Sequence, residues 1–276
     1  MFNLIVSQGR VADRKSRTIL GAARTAQALE RHYGVQGKSV GTPAPAANDD
    51  WRVSLPAAKE TLLGLRQAMT MSIDSGHLSV MVANTCSASL ATLPLVARHH
   101  PDAVVLWVDA HGDFNTPQTT GTGYLGGMVM AAACGRWDSG HGAGLRPEQV
   151  ILLGARDIDE AEGELLREAG VRIIPPSQAT PAMVLSAIGD APVWIHVDWD
   201  VMEPGYVPAD YEVPDGLFPK QLREIFAAIP RSQLRGVELA EFQPPMDDES
   251  SEAAVSIILD IVAPLFEAVP ASLAQA

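Results

Sequence analysis

Apolar residues recur along this chain in two rhythms. Short unbroken apolar runs, typical of strands buried on both faces, occur at 2–6 (FNLIV), 78–83 (LSVMVA), 103–109 (AVVLWVD), 149–155 (QVILLGA), 171–175 (VRIIP), 193–198 (VWIHVD) and 234–240 (LRGVELA). Elsewhere apolar positions fall three and four apart, which predicts helices over 20–33, 54–71, 88–99, 159–169, 180–189 and 250–268. A Pro/Gly/Ala stretch at 41–51 reads as a loop. Strands alternating with helices predict an α/β fold whose central parallel sheet is covered on both faces. One such sheet accommodates the chain, so 1–276 is expected to form a single domain. Ligand sites in these sheets gather at the carboxyl ends of the strands. The chemistry is therefore expected just after the apolar runs.

Two of the runs end in clustered donors. VLWVDAHGDFNTP (105–117) closes one strand with Asp109, His111 and Asp113, and WIHVDWDVMEP (194–204) closes another with Asp198 and Asp200. In extended chain alternate residues share a face, so the donors of each run can point into one pocket. Carboxylates gathered there repel one another unless cations compensate. An oxygen-rich set of Asp and His suits Mn²⁺ or a similar divalent ion better than a structural zinc. Donors beyond the needs of one ion suggest two ions sharing oxygens. A solitary Asp-x-Asp is most often a solvated loop. Two such clusters, each directly after a buried strand, carry more weight.

Composition narrows the function classes. With 276 residues, 47% of them hydrophobic, the chain can bury a sizeable core. A formal net charge of −13 argues against a nucleic-acid surface, which needs clustered Lys and Arg. No stretch approaches the roughly 20 apolar residues of a membrane span. The first ten residues lack a basic segment ahead of their apolar run and do not read as a signal peptide. A cytoplasmic protein is therefore expected, with Cys86 and Cys134 as reduced thiols.

VDAHGDFNTP and DWDVMEPGYVP resemble the metal motifs of the arginase, or ureohydrolase, family, and GARDIDEAE (154–162) and VELAEFQP (237–244) resemble two further family segments, in family order. The resemblance implies a three-layer arginase-like fold around a parallel sheet of about eight strands. It also implies hydrolysis of a guanidino or related group at a dimanganese centre. The family's Gly-Gly-Asp-His motif corresponds here to ANTC, which puts Cys86 at the place of a metal-binding histidine. Carried over, Cys86, Asp109, Asp113 and Asp198 hold one Mn²⁺, and Asp109, His111, Asp198 and Asp200 hold the other. The competing reading of Cys86 is a buried inert thiol beside a weakened site. A nucleophilic Cys86 is disfavoured because no second histidine is placed to activate it. Cys134 is expected in the core, and His196 behind the site rather than on a metal.

The resemblance also implies that Asp113 orients the attacking water and that Glu241 holds the guanidinium. Asn115 and Thr122 match residues that bind an amino acid's α-carboxylate, and Asp159 and Glu162 match acids near its α-amino group. Gly126 stands where arginases carry a proton-shuttling histidine, and DYE (210–212) replaces the usual Thr-Gly-Thr. A thiolate adds a negative charge that imidazole does not, and soft sulfur suits hard Mn²⁺ poorly. Weak first-site occupancy is therefore expected. Arginine's guanidinium is strongly basic and delocalised, so it resists attack at such a site. N-hydroxylation withdraws electron density, which points to Nω-hydroxy-L-arginine, cleaved to L-ornithine and hydroxyurea. The chain closely resembles family members that perform this step in D-cycloserine biosynthesis. The alternatives are arginase, guanidinobutyrase or formimidoylglutamase activity, or ligand binding without catalysis. The expected partner is a small guanidino amino acid, not nucleic acid or membrane, and the short tail after the last helix suggests a monomer.

Overall fold

The computed structural model describes residues 2–266. Eight strands, β1 (Phe2–Ser7), β2 (Gly37–Val40), β3 (Leu78–Val82), β4 (Val104–Val108), β5 (Val150–Leu153), β6 (Arg172–Ile174), β7 (Val193–Asp198) and β8 (Leu234–Ala240), form one sheet in the order β2-β1-β3-β8-β7-β4-β5-β6. Every pairing is parallel. Because strand side chains alternate between faces, each run feeds two cores. Leu4, Val6, Val80, Val82, Leu106, Val108, Ile195 and Val197 point to one. There they meet α1 (Thr18–Tyr33), α7 (Pro181–Ile188), α8 (Pro219–Ala228) and α9 (Asp248–Phe266). Ile5, Met81, Val105, Trp107, Leu152 and Trp194 point to the other, against α3 (Lys59–Asp74), α4 (Leu93–His99), α5 (Val129–Ala133) and α6 (Glu160–Ala169). Fully burying one such side chain is worth about 1.5–3 kcal/mol, which is why the two-sided runs fix the strands so firmly.

Local chemistry sets the element ends. Gly34 and Gly170 stop α1 and α6 in left-handed conformations that a side chain would oppose. The Thr180 hydroxyl accepts from the Met183 N–H and starts α7. At Gly236 a Cβ would lie 2.3 Å from the Trp194 ring, so glycine there lets the indole lie across β8.

Several expectations are corrected. β2 reads GKSV, a polar edge strand without an apolar run to announce it. The helix expected over 54–71 is two, α2 (Trp51–Ala57) and α3, meeting at Ala58. The one expected over 88–99 is a short 3-10 helix, Cys86–Leu90, followed by α4. Two helices were not anticipated: α5, five residues buried on all sides, and α8, although its buried Leu222, Ile225 and Phe226 stand at helical spacing. The last helix is described to Phe266; residues 267–268 and the tail behind the monomer expectation lie outside the described residues. Among the described residues no helix is long and apolar enough to cross a membrane.

Candidate active site

The donors gather at the carboxyl ends of the four central strands β3, β8, β7 and β4. Two of these ends are built alike. Just past β4, the Asp109 carboxylate accepts the His111 N–H at 2.7 Å; at the end of β7, the Asp198 carboxylate accepts the Asp200 N–H at 2.9 Å. An aspartate that binds the backbone two residues on turns the chain out of the strand. The spacing of two thus works through a turn, not through the shared face of an extended strand that the sequence suggested. The Asp200 carboxylate in turn accepts the Ala110 N–H at 3.1 Å, which ties the two turns together.

One donor group forms around Cys86. Its Sγ lies 3.1 Å from Asp198 Oδ2 and 4.0 Å from Asp109 Oδ2. A second forms around His111, whose Nδ1 lies 3.0 Å from Asp200 Oδ2 and 3.3 Å from Asp109 Oδ1. Asp113 and Glu241 are non-glycine residues with left-handed backbones, φ 50° and 66°. Such conformations cost on the order of 1–3 kcal/mol and recur at functional sites. Each keeps a buried carboxylate oxygen without a partner, Asp113 Oδ2 and Glu241 Oε2. The other Glu241 oxygen accepts the Cys86 N–H and the Tyr124 hydroxyl, both at 3.0 Å.

The electrostatics call for positive charge. Burial, then the charges of neighbouring carboxylates, pushes Asp113, Asp198 and Asp200 above the ordinary carboxylate range. Burial also pushes the Cys86 thiol up, with Asp198 adding to it. At Asp109 burial acts upward, but hydrogen bonding and charge from His111 outweigh it and hold the carboxyl low. At His111 burial acts downward, and the hydrogen bonds it donates to Asp109 and Asp200, with their charges, override it and raise the ring well above the usual imidazole range.

Above the donors lies a cavity of ≈ 190 Å³. Of the residues singled out from sequence, Cys86, His111, Asp113, Asn115, Thr122, Asp159, Glu162, Asp198, Asp200 and Glu241 line it, and Asp109 lies buried just beneath. The Asn115 side-chain oxygen is also buried without a partner. Glu162 accepts the Phe114 N–H at 2.8 Å, and burial holds its carboxyl up at about 7. Four lining residues had not been singled out individually: Tyr124, Gly127, Asp157 and Tyr211. Asp157 stands two before Asp159, with its carboxylate 3.6 Å from His111 Nε2. Tyr211, the centre of the DYE segment, sets its ring edge-on to His111 at 5.3 Å. Tyr124 explains Gly126, since a Cβ at 126 would come within 2.4 Å of the Tyr124 ring.

The expectation that no second histidine serves Cys86 is corrected. His196 Nε2 lies 3.2 Å from Sγ, because His196 points to the same sheet face as Trp107 and Trp194. Neither Cys86 nor Cys134 is in a disulfide, and Cys134 is half-buried beside the second core, where burial pushes its thiol up to about 12.

Residues 14–263 match the sequence pattern of the arginase family. The chain belongs to the arginase family. It is 65% identical over 271 residues to the N(omega)-hydroxy-L-arginine amidinohydrolase of Streptomyces lavendulae, which covers 98% of this chain and 99% of that protein. The arginase of Entamoeba histolytica, solved with L-ornithine, has the same fold: TM-score 0.83 at 20% identity, over 97% of this chain and 98% of that one. The proclavaminate amidino hydrolase of Streptomyces clavuligerus aligns with a TM-score of 0.67 at 20% identity, over 96% and 90%. Arginase-family enzymes depend on a pair of metal ions, and the site here fits such a pair. Three groups, Cys86–Asp109–His196, Cys86–Asp198–Glu241 and Asp109–His111–Asp200, bring their donor atoms within 4.8 Å of one another. The unpartnered Asp113 oxygen aims into the same space.

Proposed function

We propose that this arginase-family hydrolase cleaves the guanidino group of Nω-hydroxy-L-arginine to L-ornithine and hydroxyurea, with two Mn²⁺ as cofactors. The observation that carries the reading is 65% identity, over nearly the full length of both chains, to an amidinohydrolase named for that substrate. Cys86, Asp109, Asp113 and Asp198 would hold one ion, and Asp109, His111, Asp198 and Asp200 the other. When bound, the ions supply Lewis acidity that makes water a competent nucleophile at neutral pH. Asp113, whose Oδ2 is unpartnered, would orient that water. Glu241, with one oxygen anchored by Cys86 and Tyr124, turns the other to the guanidino group. Asn115 and Thr122 bind the α-carboxylate, and Asp159 and Glu162 the α-amino group. The electron-poor carbon of an N-hydroxyguanidine compensates for a sulfur-ligated, weaker first site. The proposed setting is antibiotic biosynthesis, that of D-cycloserine, by a cytoplasmic monomer.

Paired assays with added Mn²⁺ test this. Hydroxyurea from Nω-hydroxy-L-arginine is expected to form with a higher kcat/KM than urea from L-arginine. Faster release of urea, or full metal content with no turnover of any guanidino compound, overturns the reading.

A further inference from the structure

Beneath the candidate metal centre, one face of the sheet carries a polar row where apolar side chains would suffice. Trp107 on β4, His196 on β7 and Glu238 on β8 are cross-strand partners in register. All three are 0% exposed. A buried carboxylate is costly unless its oxygens are satisfied, and an apolar pair of similar size would usually be as stable. Glu238 is satisfied in full. It accepts from the Ser89 and Thr92 hydroxyls at 2.5 Å and from Trp194 Nε1 and His196 Nδ1 at 3.0 Å. Four donors around one carboxylate exceed what packing demands.

The bond to Glu238 commits Nδ1 of His196 and leaves Nε2, which faces Cys86 Sγ at 3.2 Å. The ring cannot turn away. Trp107 stacks on it with centroids 3.6 Å apart and planes 6° from parallel. That nitrogen–sulfur separation holds one proton between the two atoms. The sulfur is thus gripped from below by His196, while Asp198 Oδ2 sits 3.1 Å away on the pocket side.

We propose that His196 and Glu238 are a positioning dyad for Cys86: Glu238 locks the imidazole, and the imidazole aims the sulfur at the first metal position. Metal ligands are oriented by hydrogen bonds from a further layer, and losing such a partner costs about 10–100-fold in metal affinity. The inference rests on the metal role proposed for Cys86.

Co²⁺ titration of the metal-free, full-length protein tests both, read by absorption. A thiolate-to-cobalt charge-transfer band reports Cys86, and the two binding steps report the two positions. His196→Phe keeps the stack on Trp107 and removes both nitrogens; Glu238→Gln keeps the shape and removes the carboxylate charge. In each, first-position affinity is expected to fall about 10–100-fold and the band to shift or weaken. The second position, held by His111 and Asp200, is expected to keep wild-type affinity, which also shows that the variant has folded. His196→Gln, whose amide nitrogen can reach the sulfur, is expected to recover part of the loss, and it carries the test if the other variants do not fold. Wild-type first-position affinity and an unchanged band in these variants overturn the dyad. A wild-type protein without the band, or a band that survives Cys86→Ala, overturns the metal role of Cys86 itself.

Discussion

Gly126→Ala is expected to damage stability and turnover together, through Tyr124. The new Cβ would stand 2.4 Å from Tyr124 Cε1, 2.7 Å from Cζ and 3.0 Å from the hydroxyl oxygen. The ring has little room to yield: it is 9% exposed, with the Arg14 guanidinium 4.7 Å from its centroid. Overpacking a buried position costs about 1–3 kcal/mol. For a chain of 276 residues that corresponds to a fall in Tm of roughly 2–5 °C. Displacing the ring also breaks the 3.0 Å bond from its hydroxyl to Glu241. A hydrogen bond to a charged group is worth about 1.5–3 kcal/mol, or about 10–100-fold in kcat/KM. Thermal denaturation and hydroxyurea release measure the two effects. Tyr124→Phe separates them, since it removes the hydroxyl without a clash: it is expected to lower kcat/KM as far as Gly126→Ala does while lowering Tm less. A Gly126→Ala protein with unaltered Tm and full turnover refutes the argument that Tyr124 fills the space a side chain at 126 would need.

Cys86→His replaces a soft donor with one better matched to Mn²⁺ and is expected to raise first-site manganese occupancy; metal analysis after dialysis checks it. Asp198→Asn removes the proposed bridging carboxylate, so manganese content is expected to fall at both positions rather than one. Burial holds Glu162 up at about 7 in the folded state against 4.5 in the free residue. The folded protein therefore keeps a proton that the unfolded chain releases over this window, and stability falls as pH rises through it. Glu162→Gln is expected to flatten that slope in the metal-free protein, by up to about 3 kcal/mol, as measured by urea unfolding at pH 5 and pH 8.

Much of this was legible in the sequence, for identifiable reasons. Seven strands announced themselves because both faces are buried and the apolar runs are continuous; β2 did not, because GKSV at the sheet edge buries little. The donor clusters were legible because each follows directly on a strand. The turn that brings them together was not, since it depends on Asp109 and Asp198 capping their own backbones. His196 and Glu238 interrupt otherwise apolar runs, and that was the available signal. Their meeting depends on β7 and β8 pairing in one register, which a linear reading does not supply.

The middle of the sheet sets β3, from the first third of the chain, against β8, close to its end. A nascent polypeptide emerging from the ribosome therefore exposes Cys86 and Asp109 long before the strand that carries Glu238 and delivers Glu241 exists. The cation-binding cleft can close only at the last stage of synthesis. Shortened chains that stop before 234 are left with acidic loops and an unpaired strand edge, a substrate for quality control rather than a partial enzyme.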